Sequence, residues 1–273
     1  MQSLKGKTPE DGCMLSQGVQ HLREEGVFGE RYSSDYDIFY SAKDYEGESR
    51  RIERLIIENV PGARTLLELG CGTGGHTKYL SRAFEMTSID RSMPMLEIAK
   101  RKLNGSEVKF IQSDITKLPP FQEKFDVAMS LFHVLNYILT REELIGLFRR
   151  VNRLLNNTGI FIFDSWNGMA VITEKPEVRL KDVGTNHRRC IRYVIPKLDI
   201  RKNCCDNTYK VMILESGKIV DEYKETHRIR YLFPMEIDDM LDETGFRSIQ
   251  MTNDWGEDLT EEDWSMQVVA RKL

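Results

Sequence analysis

No apolar run in this chain approaches the ~20 residues needed for a helix to cross a bilayer, so nothing in it reads as membrane-embedded. Its opening stretch, MQSLKGKTPEDGCMLSQGVQ, lacks the apolar core of a secretory signal, and a cytoplasmic location is expected. Cysteine is scarce, with five in 273 residues. Cys13, Cys71, Cys190, Cys204 and Cys205 show no C-x-x-C spacing, and an odd number argues against a closed disulfide framework. Cys204 and Cys205 have no histidine at metal-ligand spacing, so no metal site is expected. Basic charge is not in excess either. The formal net charge is -4, and no Lys/Arg block stands apart from compensating acids, which gives no reason to expect a nucleic-acid partner. Internal repeats and low-complexity segments are missing. The length fits one large α/β domain, or a domain with a smaller cap.

What is present is a concentrated run, LLELGCGTGGHT, from Leu66 to Thr77. An apolar strand pattern meets the carboxylate of Glu68, then Gly70, Gly72, Gly74 and Gly75, then a helix start. Glycines in that position let the backbone turn sharply and approach a ligand. The run satisfies G-x-G-x-x-G at Gly70, Gly72 and Gly75, so a dinucleotide site is one reading. Around it the chain alternates: helix 44–60, strand 65–69, helix 75–83, strand 86–90, helix 94–103, strands 108–112 and 125–131, helix 141–154, strand 159–164. Such alternation predicts a Rossmann-like, doubly wound seven-stranded sheet. Residues 173–232 change to β-branched and aromatic residues interleaved with charges, which predicts an inserted antiparallel β cap. A helix from Pro234 to about Thr244 and strands near 246–252 and 264–271 complete the sheet. The domains expected are a helical lid over 1–60, a ligand-binding domain over 61–172 and 233–273, and the cap between them.

Ligands of such sheets lie across the carboxyl ends of the strands. The second strand ends in Asp90, placed for ribose hydroxyls, and the third in Asp114, placed for an adenine amino group, with Ile115 and Met95 offering apolar contact. The fourth ends in SLFHVLNY, Ser130 to Tyr137. A nicotinamide dinucleotide would share the glycines and Asp90. It gives no reason for Glu68, which would repel pyrophosphate but suits a cationic amino-acid tail.

With ELGCGTG, Asp90, SDI at 113–115 and FDVAMSLFHVLNY at 125–137, the chain resembles class I S-adenosylmethionine-dependent methyltransferases over about residues 36–273. The resemblance implies S-adenosylmethionine as cofactor. It implies that Glu68, Gly70 and Gly72 contact its amino-acid tail, Asp90 the ribose and Asp114 with Ile115 the adenine, and that Tyr36, Cys71, Arg91, Met95 and Leu131 also belong to the cofactor site. A narrower similarity, to nucleotide-linked amino-sugar N-methyltransferases, rests on YDIFYSAKDYEGE (Tyr36 to Glu48), the start of SLFHVLNY, Phe-Asp-Ser-Trp at 163–166, and HRIRYLFPMEIDDML after the insertion. It implies a small-molecule amine as acceptor and a chain that is a monomer or homodimer. The alternatives are a small-molecule O-methyltransferase, in which His133 would deprotonate a hydroxyl, and a binding module without transfer activity.

Methyl transfer from a sulfonium depends mainly on positioning, and an amine nucleophile must be neutral. His133 and Tyr137 are the catalytic candidates, expected on one face of a short helical turn. His133 reads equally well as a packed histidine. Tyr32, Tyr36, Tyr40 and Tyr45 form a tyrosine-rich stretch that serves either as a lid over the cation or as ordinary helix packing. Tyr40 and Trp166 are expected to border the acceptor. His187, His227 and Arg230 fall in or beside the cap, where a solvated β face is the expectation, and Cys71 in the glycine run needs no explanation beyond small size.

Overall fold

The computed structural model describes residues 23–24, 26–185 and 187–273. Cys13 and the first part of the expected lid lie outside the described residues. A two-residue strand, β1 (Arg23–Glu24), precedes two helices, α1 (Glu30–Phe39) and α2 (Tyr45–Asn59). The alternating part follows as β2 (Thr65–Leu69), α3 (Thr77–Leu80), β3 (Glu85–Asp90), α4 (Met93–Lys102), β4 (Lys109–Gln112), β5 (Phe125–Ser130), α5 (Arg141–Leu154), β6 (Leu155–Trp166) and α6 (Gly168–Glu174). The insertion comprises β7 (Arg179–Gly184), β8 (Arg188–Asp199), β9 (Cys204–Glu215) and β10 (Lys218–Arg230), and the chain ends in α7 (Pro234–Glu243), β11 (Phe246–Thr252) and β12 (Ser265–Lys272).

The seven-stranded sheet has the order β11-β12-β6-β5-β2-β3-β4. Strands β2 to β6 pair in parallel, and β12 is antiparallel to both its neighbours. The winding reverses between β2 and β5, which puts the switch point beyond their carboxyl ends. Apolar residues occupy both faces of these strands. Leu66, Val127, Ile160 and Ile162 pack with Ile52 and Ile56 of α2, while Leu67, Leu69, Phe161 and Phe163 pack with α5 and α7. Burial on both faces is what a parallel sheet between two helical layers requires.

The differences from the sequence expectation are local. The helix predicted over 75–83 contracts to α3, because Tyr79, Arg82 and Ala83 donate to carbonyls three residues back and wind the flanks as tighter turns. Strand β6 runs past residue 164 to Trp166 because β12 continues to pair with it, Ser265 opposite Trp166. Helix α6 was not anticipated, being short and opening on glycine. The cap is an antiparallel meander, β10-β9-β8-β7, with β1 added in parallel to β10. Its inner face packs on α1, where Tyr32 and Phe39 meet Cys190, Val211, Ile213 and Tyr223.

Candidate active site

The carboxyl ends of β2 to β6, helix α1 and the cap enclose a cavity of about 510 Å³. Two glycines shape its floor. Gly70 has φ +78°, and a Cβ there would come within 2.5 Å of Val134, so only glycine lets the loop pass under the end of the fourth strand segment. Gly72 has φ +55° with nothing within 4 Å of where its Cβ would stand. Its N–H donates to Asp90 Oδ2 at 2.8 Å, and the Ser92 N–H donates to Oδ1 at 2.8 Å. One backbone bond per oxygen fixes the Asp90 carboxylate and leaves acceptor capacity for a diol. Burial pushes its carboxyl up from the usual range, against these two bonds.

Glu68 is buried at the end of β2, and Thr77 Oγ1 (2.6 Å) and Ser88 Oγ (2.8 Å) both donate to its Oε2. Oε1 takes neither bond, and the residue lines the cavity. Burial raises its carboxyl, with the two hydroxyls opposing. A cationic ligand group beside it would restore the carboxylate. Asp114 caps the turn at Ile115 to Lys117 through bonds from the Thr116 N–H (2.8 Å) and hydroxyl (2.7 Å). Desolvation works to raise it, but those two bonds outweigh that and hold its carboxyl below the usual range. Cys71 is buried in the loop, and burial, with the carboxylates of Glu68 and Asp90, pushes its thiol well up. It is a small packed side chain rather than a nucleophile.

After β5 the chain makes an unusual turn. Phe132 (φ +66°) and His133 (φ +61°) are both left-handed, and Asp164 at the end of β6 accepts both their N–H groups, at 2.7 and 2.6 Å. Asn136 is buried within the following turn; its amide donates to the Arg230 carbonyl and its Oδ1 accepts the Trp166 N–H at 3.3 Å. This segment is thereby clamped between β6 and the cap. His133 and Tyr137 do not act as one face. His133 lies outside the helical turn, and its Nε2 bonds Ser265 Oγ at 3.0 Å, whereas the Tyr137 hydroxyl bonds His227 Nδ1 at 2.7 Å, toward the cap. The tight three-residue winding of 134–137 also removes the four-residue alignment that an α-helix would give.

Another part of the lining is aromatic. Phe28, Tyr32, Tyr36, Tyr40 and Tyr45 line it from the N-terminal side, with Tyr209 from the cap. Tyr36 and Tyr40 have ring centroids 4.7 Å apart, and Tyr40 lies edge-on to Phe132 at 5.0 Å. Burial raises the hydroxyls of Tyr32, Tyr36, Tyr137 and Tyr209, so these phenols are neutral. Arg192 Nη1 donates to the Tyr32 hydroxyl at 2.8 Å and to Tyr40 at 3.3 Å, tying the cap to α1. On the loop side Thr73 donates to Asp37 at 2.7 Å, and His76 Nε2 meets Glu48 at 2.8 Å, which joins both N-terminal helices to the glycine run.

The fifteen residues expected at cofactor, acceptor or catalytic positions all line this cavity: Tyr36, Tyr40, Glu68, Gly70, Cys71, Gly72, Asp90, Arg91, Met95, Asp114, Ile115, Leu131, His133, Tyr137 and Trp166. His227 overturns its expectation. It is not on a solvated face but 1% exposed, with Nε2 on Glu225 Oε2 at 2.8 Å and Nδ1 on Tyr137. Burial lowers its basicity, with Glu225 opposing. The signal was available, since Tyr223, Glu225, His227, Ile229 and Tyr231 recur at every second residue and share one buried face. Tyr209 carries the same signal, in phase with Cys205, Asn207, Val211 and Ile213 of β9, whereas Phe28 had none. Arg230 is paired with Glu236, and His187 is exposed.

A family model described as a methyltransferase domain matches residues 66–159. YqeM of Bacillus subtilis (strain 168), whose own assignment as a methyltransferase is provisional, is 28% identical over 229 residues, 82% of this chain and 88% of that protein. The dTDP-3-amino-3,4,6-trideoxy-alpha-D-glucopyranose N,N-dimethyltransferase of Streptomyces venezuelae is 30% identical over 134 residues, 48% of this chain and 55% of its own length. The chain thus spans little more than half of that relative. Among solved structures, an S-adenosylmethionine-dependent methyltransferase from Clostridium acetobutylicum ATCC 824 superposes with a TM-score of 0.77 at 20% identity, covering 89% of this chain and 98% of the other.

Proposed function

We propose that this chain, a class I S-adenosylmethionine-dependent methyltransferase, methylates the amine of a small molecule, with a nucleotide-linked amino sugar as the leading acceptor. The observation that carries the reading is the division of one cavity into an acidic, glycine-lined half and a half walled by neutral phenols. Glu68 and the Gly70 to Gly72 backbone fit the amino-acid part of the cofactor, Asp90 its ribose hydroxyls, and Asp114, Ile115 and Met95 its adenine. Arg91, Leu131 and Cys71 complete that half, and Tyr36 stands where the two halves meet. When bound, S-adenosylmethionine supplies an electrophilic methyl group with a neutral thioether as leaving group.

The residues of this chain then have three tasks. Tyr36, Tyr40 and Phe132 present ring faces that favour a cation and exclude water. Tyr137 and His133, held by the Asp164 clamp, orient a neutral amine for in-line attack. Trp166 borders the acceptor. Arg179 lines the cavity, and Lys181 lies 5.1 Å from the Tyr40 ring. Positive charge on the cap side suits the diphosphate of a nucleotide-linked sugar, in keeping with the named Streptomyces venezuelae relative.

The test is a methyl-transfer assay with labelled cofactor against dTDP-linked 3- and 4-amino sugars, free amino sugars, small amines and a matching panel of hydroxyl compounds. N-methylated product, with the nucleotide-linked sugars the best acceptors, is expected. Label appearing only on hydroxyl acceptors, or on none, would overturn the reading.

A further inference from the structure

We propose that Tyr137, His227 and Glu225 form a proton relay for the transfer, in which Tyr137 touches the acceptor amine and takes its proton, while His227 and Glu225 are positioning residues behind it. This rests on the amine reading above. The chain of contacts is continuous: Tyr137 Oη to His227 Nδ1 at 2.7 Å, then His227 Nε2 to Glu225 Oε2 at 2.8 Å. Glu225 also accepts the Phe28 N–H on Oε2 at 3.2 Å and the Gly29 N–H on Oε1 at 3.3 Å. Oxygens committed as acceptors make Nε2 the protonated nitrogen of His227, so Nδ1 presents its lone pair to the phenol and Tyr137 donates to it.

The surroundings leave little room for a purely structural reading. Glu225 is 0% exposed and His227 1%. A histidine and a glutamate buried together gain less for the fold than a well-packed apolar pair of the same size. Four rings enclose the imidazole, with centroids at 4.6 Å (Tyr209), 5.0 Å (Phe28), 5.4 Å (Tyr32) and 5.8 Å (Tyr137). Tyr137 is the one member of the set that sits at the end of the fourth strand, where the transfer is proposed to take place. Burial keeps the imidazole neutral, with its Nδ1 lone pair on the Tyr137 hydroxyl.

The step balances as follows. As the methyl–nitrogen bond forms and the sulfur–methyl bond breaks, the acceptor nitrogen becomes a cation with one proton too many. That proton moves to Tyr137 Oη, its bonding pair staying on the product nitrogen, while the phenol's own proton moves to His227 Nδ1. The imidazolium so formed is held against Glu225 and returns its proton to water through Tyr137 once the product has left. The N–H groups of Phe28 and Gly29 hold Glu225 from the segment that leads into α1.

The experiment compares Tyr137→Phe, His227→Gln, Glu225→Gln and the double variant Tyr137→Phe/His227→Gln with the wild type, using a dTDP-linked 3-amino sugar as acceptor. Each single change is expected to lower kcat roughly a hundredfold, with acceptor KM and calorimetric affinity for S-adenosylhomocysteine held within about twofold, and the double variant should be no slower than Tyr137→Phe. Multiplying effects in the double variant, an unaltered kcat in His227→Gln, or cofactor affinity falling in step with kcat would overturn the relay. In ¹⁵N-histidine spectra His227 should be protonated on Nε2 and bare on Nδ1 near neutral pH, and the opposite tautomer would also overturn it. A wild type inert towards every amine refutes the amine reading and the relay with it, whereas an active wild type with an unaffected His227→Gln refutes the relay alone.

Discussion

Replacing Asp164 by alanine isolates the device that holds the turn after β5 in place. The carboxylate accepts the Phe132 and His133 N–H groups at 2.7 and 2.6 Å and is itself 8% exposed. Hydrogen bonds to a charged group contribute about 1.5–3 kcal/mol each, so the pair is worth roughly 3–6 kcal/mol. Part of that is returned on truncation. The two left-handed residues cost about 1 kcal/mol each, and once released the turn can relax while its freed N–H groups meet water in the cavity. The net loss expected for Asp164→Ala is about 1–4 kcal/mol, which for a chain of this size lowers Tm by roughly 2–8 °C. Asp164→Asn should fall between the two, because its amide accepts one N–H and sets a donor against the other. Urea and thermal melts of the three proteins, read together with kcat, decide the matter. Methyl transfer should fall much further than cofactor affinity, since His133 and Tyr137 move while Glu68 and Asp90 stay. A stability change under about 1 kcal/mol with normal kcat would show that the turn needs no clamp.

Three other outcomes follow from the same geometry. Asp90→Ala should weaken S-adenosylhomocysteine binding at least a hundredfold by calorimetry, since it removes charged bonds of about 1.5–3 kcal/mol to each ribose hydroxyl and frees Gly72; affinity within about tenfold of wild type would contradict the ribose assignment. Glu68 has its folded pKa raised by burial, so its contribution to stability is complete below the ordinary carboxyl range and is lost as pH rises through the folded value. Glu68→Gln should therefore gain on the wild type as pH rises from the acid range through the folded pKa in cofactor-free melts, while binding cofactor more weakly; a difference independent of pH would exclude the titration. Glu48 behaves in the opposite sense. Burial acts to raise it, but the bonds from His76 and Lys43 win and bring its pKa down to about 2. The stabilisation is present above the ordinary carboxyl range and lost as pH falls toward that value, so Glu48→Gln should cost about 1–2 kcal/mol at neutral pH and nothing in strong acid.

Much of the glycine-lined half of the cavity was readable because its determinants are local. Leu66 to Thr77 carries its own strand, turn and glycines, and Asp90 and Asp114 stand at strand ends that hydrophobic periodicity locates to within a residue or two. The helix at 75–83 was overdrawn because tight turns and an α-helix share the same apolar spacing. His133 and Tyr137 were paired on an α-helical spacing that does not exist there, since two left-handed residues and a tight turn depend on a carboxylate some thirty residues later.

The sequence by itself determined which strands form the sheet, which loop turns toward the cavity and which carboxylates end beside it, because each of those is fixed by residues adjacent in the chain. Only the tertiary structure decided what faces Tyr137. His227 and Glu225 lie 90 residues or so further on, in a cap whose alternation fixes that they share a face but not whether that face meets water or a cavity. That choice was made by α1 docking on the cap and by Asn136 and Asp164 clamping the turn. Contacts of such sequence separation depend on packing, which local pattern does not encode.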